Sequence, residues 1–97
     1  MRKSLSFDDV LLVPKYSDIK SRSEVNTTNN LGKVRLTLPI ISSPMDTITE
    51  DRMAHVISTA GGLGIIHRYN TIKKQIDLVC LATGAPKAAA VGMTGNY

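Results

Sequence analysis

The sequence has little of what secreted or metal-binding proteins are built from. It contains one cysteine, one phenylalanine and no tryptophan in 97 residues. A single cysteine excludes an internal disulfide framework and a zinc site made of several cysteines, and we predict no metal site. Because aromatic residues make up only 4% of the chain, the core has to be built from aliphatic side chains, methionine and alanine.

Long hydrophobic runs are also missing. No apolar run approaches the roughly 20 residues that a membrane-spanning helix needs. The basic start at Arg2 and Lys3 is followed at once by Asp8 and Asp9, without the apolar stretch of a secretory signal. The net charge of +4, with 21% charged residues, is modest. The composition predicts a cytoplasmic protein with neither a membrane nor a nucleic-acid partner.

From residue 39 onward, short apolar runs alternate with helical patterns. The pattern predicts strands at 39–42, 64–67 and 88–91, the first two of them buried, with helices over 47–60 and 70–83 between them. Strands that alternate with helices across short connections are typical of parallel βα units. The first third of the chain is read as surface loop, with short strands near 24–28 and 36–38.

The ends and faces of the two helices can also be predicted. Thr47 and Glu50 have the spacing of a capping box, and Asn70 is a plausible N-cap for the second helix. Glycines 61 and 62 are read as a helix stop and a turn. The apolar stripe of the first helix comprises Met53, Val56, Ile57 and Ala60, and that of the second comprises Ile72, Ile76, Val79 and Cys80.

In a parallel sheet, ligands meet the carboxyl ends of the strands. The segments there are 42–47, 67–70 and 92–96. The first is read either as a binding loop or only as a capped helix start. His67 is read either as a structural residue or as an acid or base, and Arg68 either as a phosphate-binding fork or as a solvated charge. Cys80, on the packed helix face, is read as structural.

Three stretches agree in order and spacing with one known family. They are Ser6–Pro14, Pro39–Glu50 and Gly61–His67. Across nearly its whole length the chain resembles the N-terminal part of the inosine monophosphate dehydrogenase and guanosine monophosphate reductase family. The resemblance implies that residues 1–97 are the N-terminal segment, about two and a half βα units, of a single (β/α)₈ TIM-barrel catalytic domain.

The resemblance also implies a chemistry. Members of the family are usually homotetramers that act at C2 of a purine nucleotide with a nicotinamide cofactor, NAD or NADP. Their catalytic cysteine lies beyond the position of residue 97, as would a site for a monovalent cation such as potassium. No catalytic residue is therefore expected within this chain. The regulatory pair of cystathionine-synthase-type repeats that many dehydrogenases insert after the second helix is missing here.

Six residues match binding positions of the family by this resemblance. Ser43 and Met45 match positions that contact the purine nucleotide. Arg68 matches a basic residue on the NADP side of the reductases, and Ser21 with Arg22 matches another of their cofactor contacts. Asn96 falls near an acid that faces NAD in the dehydrogenases, and an amide there departs from the pattern.

Three functions remain open at this stage. The segments 42–47 and 61–67 favour a dehydrogenase that converts IMP to XMP. The segments 21–24 and 67–68, with the missing insertion, favour a reductase that converts GMP to IMP with NADPH. We prefer the dehydrogenase because its match is longer and lies at the substrate loop. A non-catalytic nucleotide-binding or interaction fragment is the remaining alternative.

Overall fold

A computed structural model describes residues 2–94, which form a mixed α/β structure. Two short 3₁₀ turns, at Phe7–Asp9 and Arg22–Glu24, precede the regular elements. In chain order these elements are β1 (Asn29–Leu31), β2 (Val34–Leu36), β3 (Ile41–Ser42), α1 (Asp51–Thr59), β4 (Leu63–Ile66), α2 (Ile72–Leu81) and β5 (Lys87–Ala89).

The central sheet has three parallel strands in the order β3-β4-β5. Ile41 lies opposite Leu63, and Ile66 lies opposite Ala89. Helix α1 connects β3 to β4, and α2 connects β4 to β5, so the predicted succession of parallel βα units is confirmed. The strand order equals the chain order, as expected when each crossover returns beside the strand it left.

The segment before the sheet differs from the prediction. The expected strand near 24–28 is wrong, because residues 22–24 form a 3₁₀ turn and the first strand begins at Asn29. The strand expected at 36–38 ends at Leu36 and belongs instead to an antiparallel hairpin of β1 with β2. Gly32 makes that hairpin possible, since its φ of +59° suits a tight turn between strands.

The core lies where α1 and α2 cover β4. Its buried members are Ala54, Ile66, Leu78 and Ala82. β4 has a strand on each side, and Ile66 is completely buried. β3 has one neighbour, and Ile41 remains 44% exposed, so the prediction that the first strand is buried on both faces is wrong within the described residues.

Helix α1 packs with a different face from the one predicted. Ala54 and Ser58 are buried, whereas Met53 and Val56 are 40% and 54% exposed. The reason is the closeness of α1 to β4, since Gly64 has no side chain and Ala54 lies directly against it. Only small side chains fit at that distance, so Met53 and Val56 stay exposed. Ile57 of the predicted stripe is half-buried and lies beside Gly62.

The packed face of α2 agrees with the predicted stripe only at Val79, which packs against the core. Leu78 is buried, whereas Ile72 and Ile76 are 59% and 57% exposed. Cys80, predicted on the packed face, is an exposed free thiol. The helix turns its C-terminal half toward the core, which continues into Ala82 just beyond its end.

Both predicted N-caps are wrong, and the predicted helix stop is confirmed. α1 begins at Asp51 with Glu50 as the N-cap, so Thr47 lies outside the helix. Thr71 caps α2 by accepting a hydrogen bond from the Lys74 amide. Gly61 ends the first helical segment with a φ of +95°, a conformation that glycine adopts without strain.

The N-terminal arm, residues 2–20, lies outside the core. Leu11, Leu12 and Tyr16 are almost fully exposed. The Ser6 amide and hydroxyl both donate to the Asp9 carboxylate, and these bonds hold the pKa of Asp9 below its ordinary value. These bonds therefore contribute fully to the stability of the turn above the ordinary pKa of aspartate, and their contribution is lost as the pH falls through the lowered value. The radius of gyration is 17.6 Å, against about 13 Å for a compact chain of this length.

We predict that residues 1–97 in isolation are partly unfolded or aggregated. β3 and β5 each have an unpaired edge in the described sheet, and such edges recruit other chains. Circular dichroism during heating and light scattering measure the outcome. A single cooperative transition of a monomer would contradict the prediction.

We call the whole chain that carries this sequence the complete protein. We predict that Gly64→Ala lowers its free energy of unfolding by about 3 kcal/mol. The new methyl carbon would overlap the main chain of Ala54. Gly32→Ala is the control, because its methyl group meets nothing within 4 Å and costs only backbone strain of about 1 kcal/mol. Denaturant unfolding of both variants tests the difference, and equal losses would show that the close approach is not limiting.

Candidate functional site

Polar segments follow β3, β4 and β5 at one edge of the sheet. Because the three strands are parallel, their carboxyl ends lie side by side. The His67 amide donates to the Thr49 carbonyl (3.3 Å), and the Ala90 amide donates to the Ile66 carbonyl (2.8 Å). The sheet thus brings together segments 42–47 and 67–70, which the sequence indicated as candidate ligand-binding loops, and the described start of the third, residues 92–94.

The segment after β3, which we call loop 43–50, is held by the hydroxyl of Thr49. Thr49 is completely buried and donates to the Ser43 carbonyl at 2.6 Å. Since a hydroxyl has one proton, the Ser42 hydroxyl, 3.0 Å away, has to donate in its pair with Thr49. The Met45 amide also donates to the Ser43 carbonyl, at 2.9 Å. The loop therefore has a fixed backbone.

Ser43 and Met45 present their side chains on the outside of this fixed loop. Ser43 is exposed, and Met45 is 50% exposed. The Met45 carbonyl accepts from the Ile48 and Thr49 amides, each at 3.0 Å. A hydroxyl and a thioether on a rigid loop form a preorganised contact surface, because little conformational entropy is lost when a ligand binds.

His67, directly after β4, is buried and has two defined partners. Its Nδ1 accepts from the Tyr69 amide at 3.2 Å, and its Nε2 lies 3.0 Å from Glu50 Oε1. An acceptor at Nδ1 places the proton on Nε2, which therefore donates to the carboxylate. The sequence reading of His67 as a satisfied structural histidine agrees with this geometry.

Arg68 is exposed and stacks on its neighbour. Its guanidinium carbon lies 5.0 Å from the centre of the Tyr69 ring, a cation–π arrangement. Among residues 2–94 no carboxylate is within ion-pair distance of Arg68, so its five donors are available to a ligand. Beside it is a cleft of about 180 Å³ that Ile72, Ile76 and Val91 help to line.

A second cleft, of about 390 Å³, lies between loop 43–50 and the outer face of α1. Asp46, Asp51 and Arg52 contribute charges, and Met53 and Val56 contribute apolar surface. Asp46 and Thr47 of the predicted segment 42–47 line this cleft, whereas Ser43 and Met45 do not. The cleft therefore adjoins the predicted site without containing its two candidate binding residues.

The structure places the predicted residues in three different situations. Ser43, Met45 and Arg68 share the carboxyl edge of the sheet. Ser21 and Arg22 belong to the exposed 3₁₀ turn, whose hydrogen bonds all stay within residues 20–25. Asn96 lies outside the described residues.

Sequence reasoning missed the role of Thr49 and the partner of Glu50. Thr47 and Thr49 are two residues apart, and spacing alone assigned the anchoring hydroxyl to Thr47. The pairing of Glu50 with His67 spans 17 residues, so no local pattern could indicate it. The only available signal was a carboxylate at the helix start and a histidine at a strand end.

Other kinds of site are not found in the part of the chain that the structure covers. No group of three or more His, Cys, Asp or Glu side chains is arranged to hold a metal ion within residues 2–94. No helix among these residues is long and apolar enough to cross a membrane.

A family model described as the IMP dehydrogenase / GMP reductase domain matches residues 4–92. The chain belongs to the IMP dehydrogenase / GMP reductase family. It is 51% identical over 79 residues to inosine-5'-monophosphate dehydrogenase from Nitrosopumilus maritimus. It is 42% identical over 78 residues to GMP reductase from Leishmania donovani. These matches cover 80% and 79% of the chain but only 17% and 16% of the two relatives.

Solved structures of family members show the same fold. An inosine 5' monophosphate dehydrogenase from Legionella pneumophila superimposes with a TM-score of 0.83 at 45% identity, covering 95% of this chain and 29% of that one. A GMP reductase from Trypanosoma brucei, in complex with guanosine 5'-triphosphate, gives 0.76 at 44% identity, covering 81% and 19%. The chain therefore spans less than a third of the length of each of these four relatives.

Proposed function

We propose that the complete protein is a purine nucleotide oxidoreductase that acts at C2 of the base with a nicotinamide cofactor, and that it is an IMP dehydrogenase forming XMP. The observation that carries the proposal is loop 43–50, where a buried threonine fixes the backbone and Ser43 and Met45 stay exposed. The higher identity to the dehydrogenase relative, 51% against 42%, supports the choice between the two activities.

The proposed setting is a single (β/α)₈ barrel of which residues 1–97 are the N-terminal segment. The three strands are parallel and follow the chain order, and both edges of the sheet are unpaired in the described part. This arrangement supports a barrel, because a closed barrel removes such edges. α2 leads directly through residues 82–86 to β5, which supports a domain without an inserted repeat pair. We further propose a cytoplasmic homotetramer, with potassium bound by residues beyond position 97.

Ser43 and Met45 are proposed to hold the purine nucleotide. The Ser43 hydroxyl would hydrogen-bond the nucleotide, and the Met45 side chain would pack on its apolar surface. The nicotinamide cofactor supplies the hydride transfer at C2. The attacking cysteine is proposed to come from beyond residue 97, since Cys80 lies near the end of α2 that leads back to the amino edge of the sheet.

Arg68 is proposed to contact the cofactor. Its guanidinium is exposed and has no carboxylate partner among the described residues, which suits a phosphate, and its stacking on Tyr69 orients the planar fork. The same observation favours the second candidate function, a GMP reductase, because NADP carries a phosphate that NAD lacks. Ser21, Arg22 and Asn96 are proposed as further cofactor contacts once the complete protein is assembled.

We predict that Ser43→Ala in the complete protein weakens purine nucleotide binding by about 1–3 kcal/mol, because a polar partner on the ligand loses its hydrogen bond. The fold should be spared, since Ser43 is exposed. Nucleotide titration and thermal unfolding measure the two effects separately. Unchanged affinity together with lower stability would contradict the proposed binding role and leave Ser43 a purely structural one.

We predict that the complete protein oxidises IMP with NAD. We also predict that Arg68→Ala lowers the affinity for the cofactor. Steady-state kinetics with IMP and NAD, and with GMP and NADPH, distinguish the two enzymes. A preference for NADPH that Arg68→Ala abolishes would replace the dehydrogenase by the reductase. Nucleotide binding without turnover of either pair would favour the non-catalytic alternative. Arg52→Ala is the control, because Arg52 is an exposed arginine of α1 beside the other cleft.

A further inference from the structure

We infer that His67 is a positioning residue that holds two binding loops in register. One is loop 43–50, and the other is residues 67–71, which we call loop 67–71. The inference rests on the proposed function, because that function assigns the nucleotide to the first loop and the cofactor to the second. Its new content is that one buried imidazole ring fixes both.

The two ring nitrogens of His67 have separate tasks. Nδ1 accepts from the Tyr69 amide, and Nε2 donates to the Glu50 carboxylate. The His67 side chain is only 3% exposed, so water cannot readily replace either partner. A neutral ring with its proton on Nε2 satisfies both bonds at once, and no other protonation state does.

The Nε2 side of the ring connects to the nucleotide loop. Glu50 follows Thr49, whose hydroxyl holds the Ser43 carbonyl. The His67 amide also donates to the Thr49 carbonyl. Residues 49 and 50 are thus bound to His67 through its main chain and its ring, and Thr49 transmits this restraint to the backbone of Ser43.

The Nδ1 side connects to the cofactor loop. The bond from the Tyr69 amide closes a tight turn around Arg68. The Asn70 side chain donates to the His67 carbonyl at 3.1 Å and to Gln75 Oε1 at 2.7 Å. Arg68, which stacks on Tyr69, is therefore presented by a turn that His67 closes.

The hydrogen bonds of the His67 ring indicate that the residue positions the two loops and does not only fill space in the core. An aliphatic side chain would fill the same buried space without the desolvation cost of two ring nitrogens. The two partners of the His67 ring are the Glu50 carboxylate and the Tyr69 main-chain amide. Both belong to residues at the surface, since the Glu50 side chain is 46% exposed and Tyr69 is 66% exposed. The ring therefore connects the sheet to the two loops rather than to other core residues.

Two substitutions can break the two ring bonds one at a time. In His67→Asn the side-chain oxygen can take the place of Nδ1, which keeps the bond to Tyr69 and loses the bond to Glu50. In His67→Gln the terminal amide can take the place of Nε2, with the opposite result. For the complete protein, we expect His67→Asn to raise the nucleotide KM about three- to tenfold and His67→Gln to raise the cofactor KM by a similar factor.

Three further variants serve as controls. Glu50→Ala should reproduce the effect of His67→Asn, and Glu50→Gln should restore most of the nucleotide affinity, because its amide oxygen can still accept from Nε2. His55→Asn removes the other histidine, whose Nδ1 lies 2.6 Å from the Thr83 carbonyl near the amino edge of the sheet. It should change neither KM, whatever its effect on thermal stability.

The outcomes separate this inference from the proposed function. Equal changes of both KM values in the two His67 variants, or changes in thermal stability alone, would overturn the positioning role. A wild-type protein that binds neither a purine nucleotide nor a nicotinamide cofactor would overturn the proposed function itself. A nitrogen NMR spectrum of the wild type should show a protonated Nε2 and an unprotonated Nδ1, and the reverse tautomer would contradict the geometry.

Discussion

The close approach of α1 to β4 determines the geometry of the carboxyl edge. Ala54 lies against Gly64, where a side chain larger than hydrogen would overlap the helix backbone. This contact sets the height of α1 over the sheet and so the position of the residues that precede the helix. Thr49 and Glu50 are consequently placed next to His67, and the loop that carries Ser43 is fixed from there. A chain of short-range contacts thus connects a packing constraint in the core to the exposed side chains of the site.

The arrangement of elements was predictable from sequence, but the packed faces were not. Periodicity found the two helices and three parallel strands because apolar residues recur at the spacing of each element. It selected Met53 and Val56 as the buried stripe of α1 because they are large and apolar. In the structure Ala54 and Ser58 are buried instead, because the short distance between α1 and the sheet admits only small side chains. Hydrophobicity therefore predicts which residues favour burial. Steric fit decides which residues of the helix pack against the three strands of this sheet.

The candidate site divides along a similar line. The residues that the family resemblance indicated at two strand ends, Ser43 and Arg68, do share one edge, since parallel topology alone brings strand ends together. The supporting network was not predicted, because the pair of Glu50 with His67 is distant in sequence and the buried hydroxyl of Thr49 was hidden in a segment that also fits a capping box. Local capping rules failed at Thr47 because α1 begins only at Asp51, with Glu50 paired to His67. They failed at Asn70 because the neighbouring Thr71 caps α2, while the Asn70 side chain bonds Gln75 instead.

The equality of strand order and chain order has a consequence for biosynthesis. A ribosome releases β3 first, then α1 and β4, and then α2 and β5, so each strand emerges next to the edge on which it pairs. The growing sheet can add one unit at a time without waiting for a distant part of the chain, and local pairing of this kind carries a small loop-closure cost. The N-terminal arm differs from the strands, because it is synthesised before the sheet and does not pair with it. Its exposed leucines, Leu11 and Leu12, are not covered by the sheet once it has formed. They therefore stay open to chaperones throughout the synthesis of this segment.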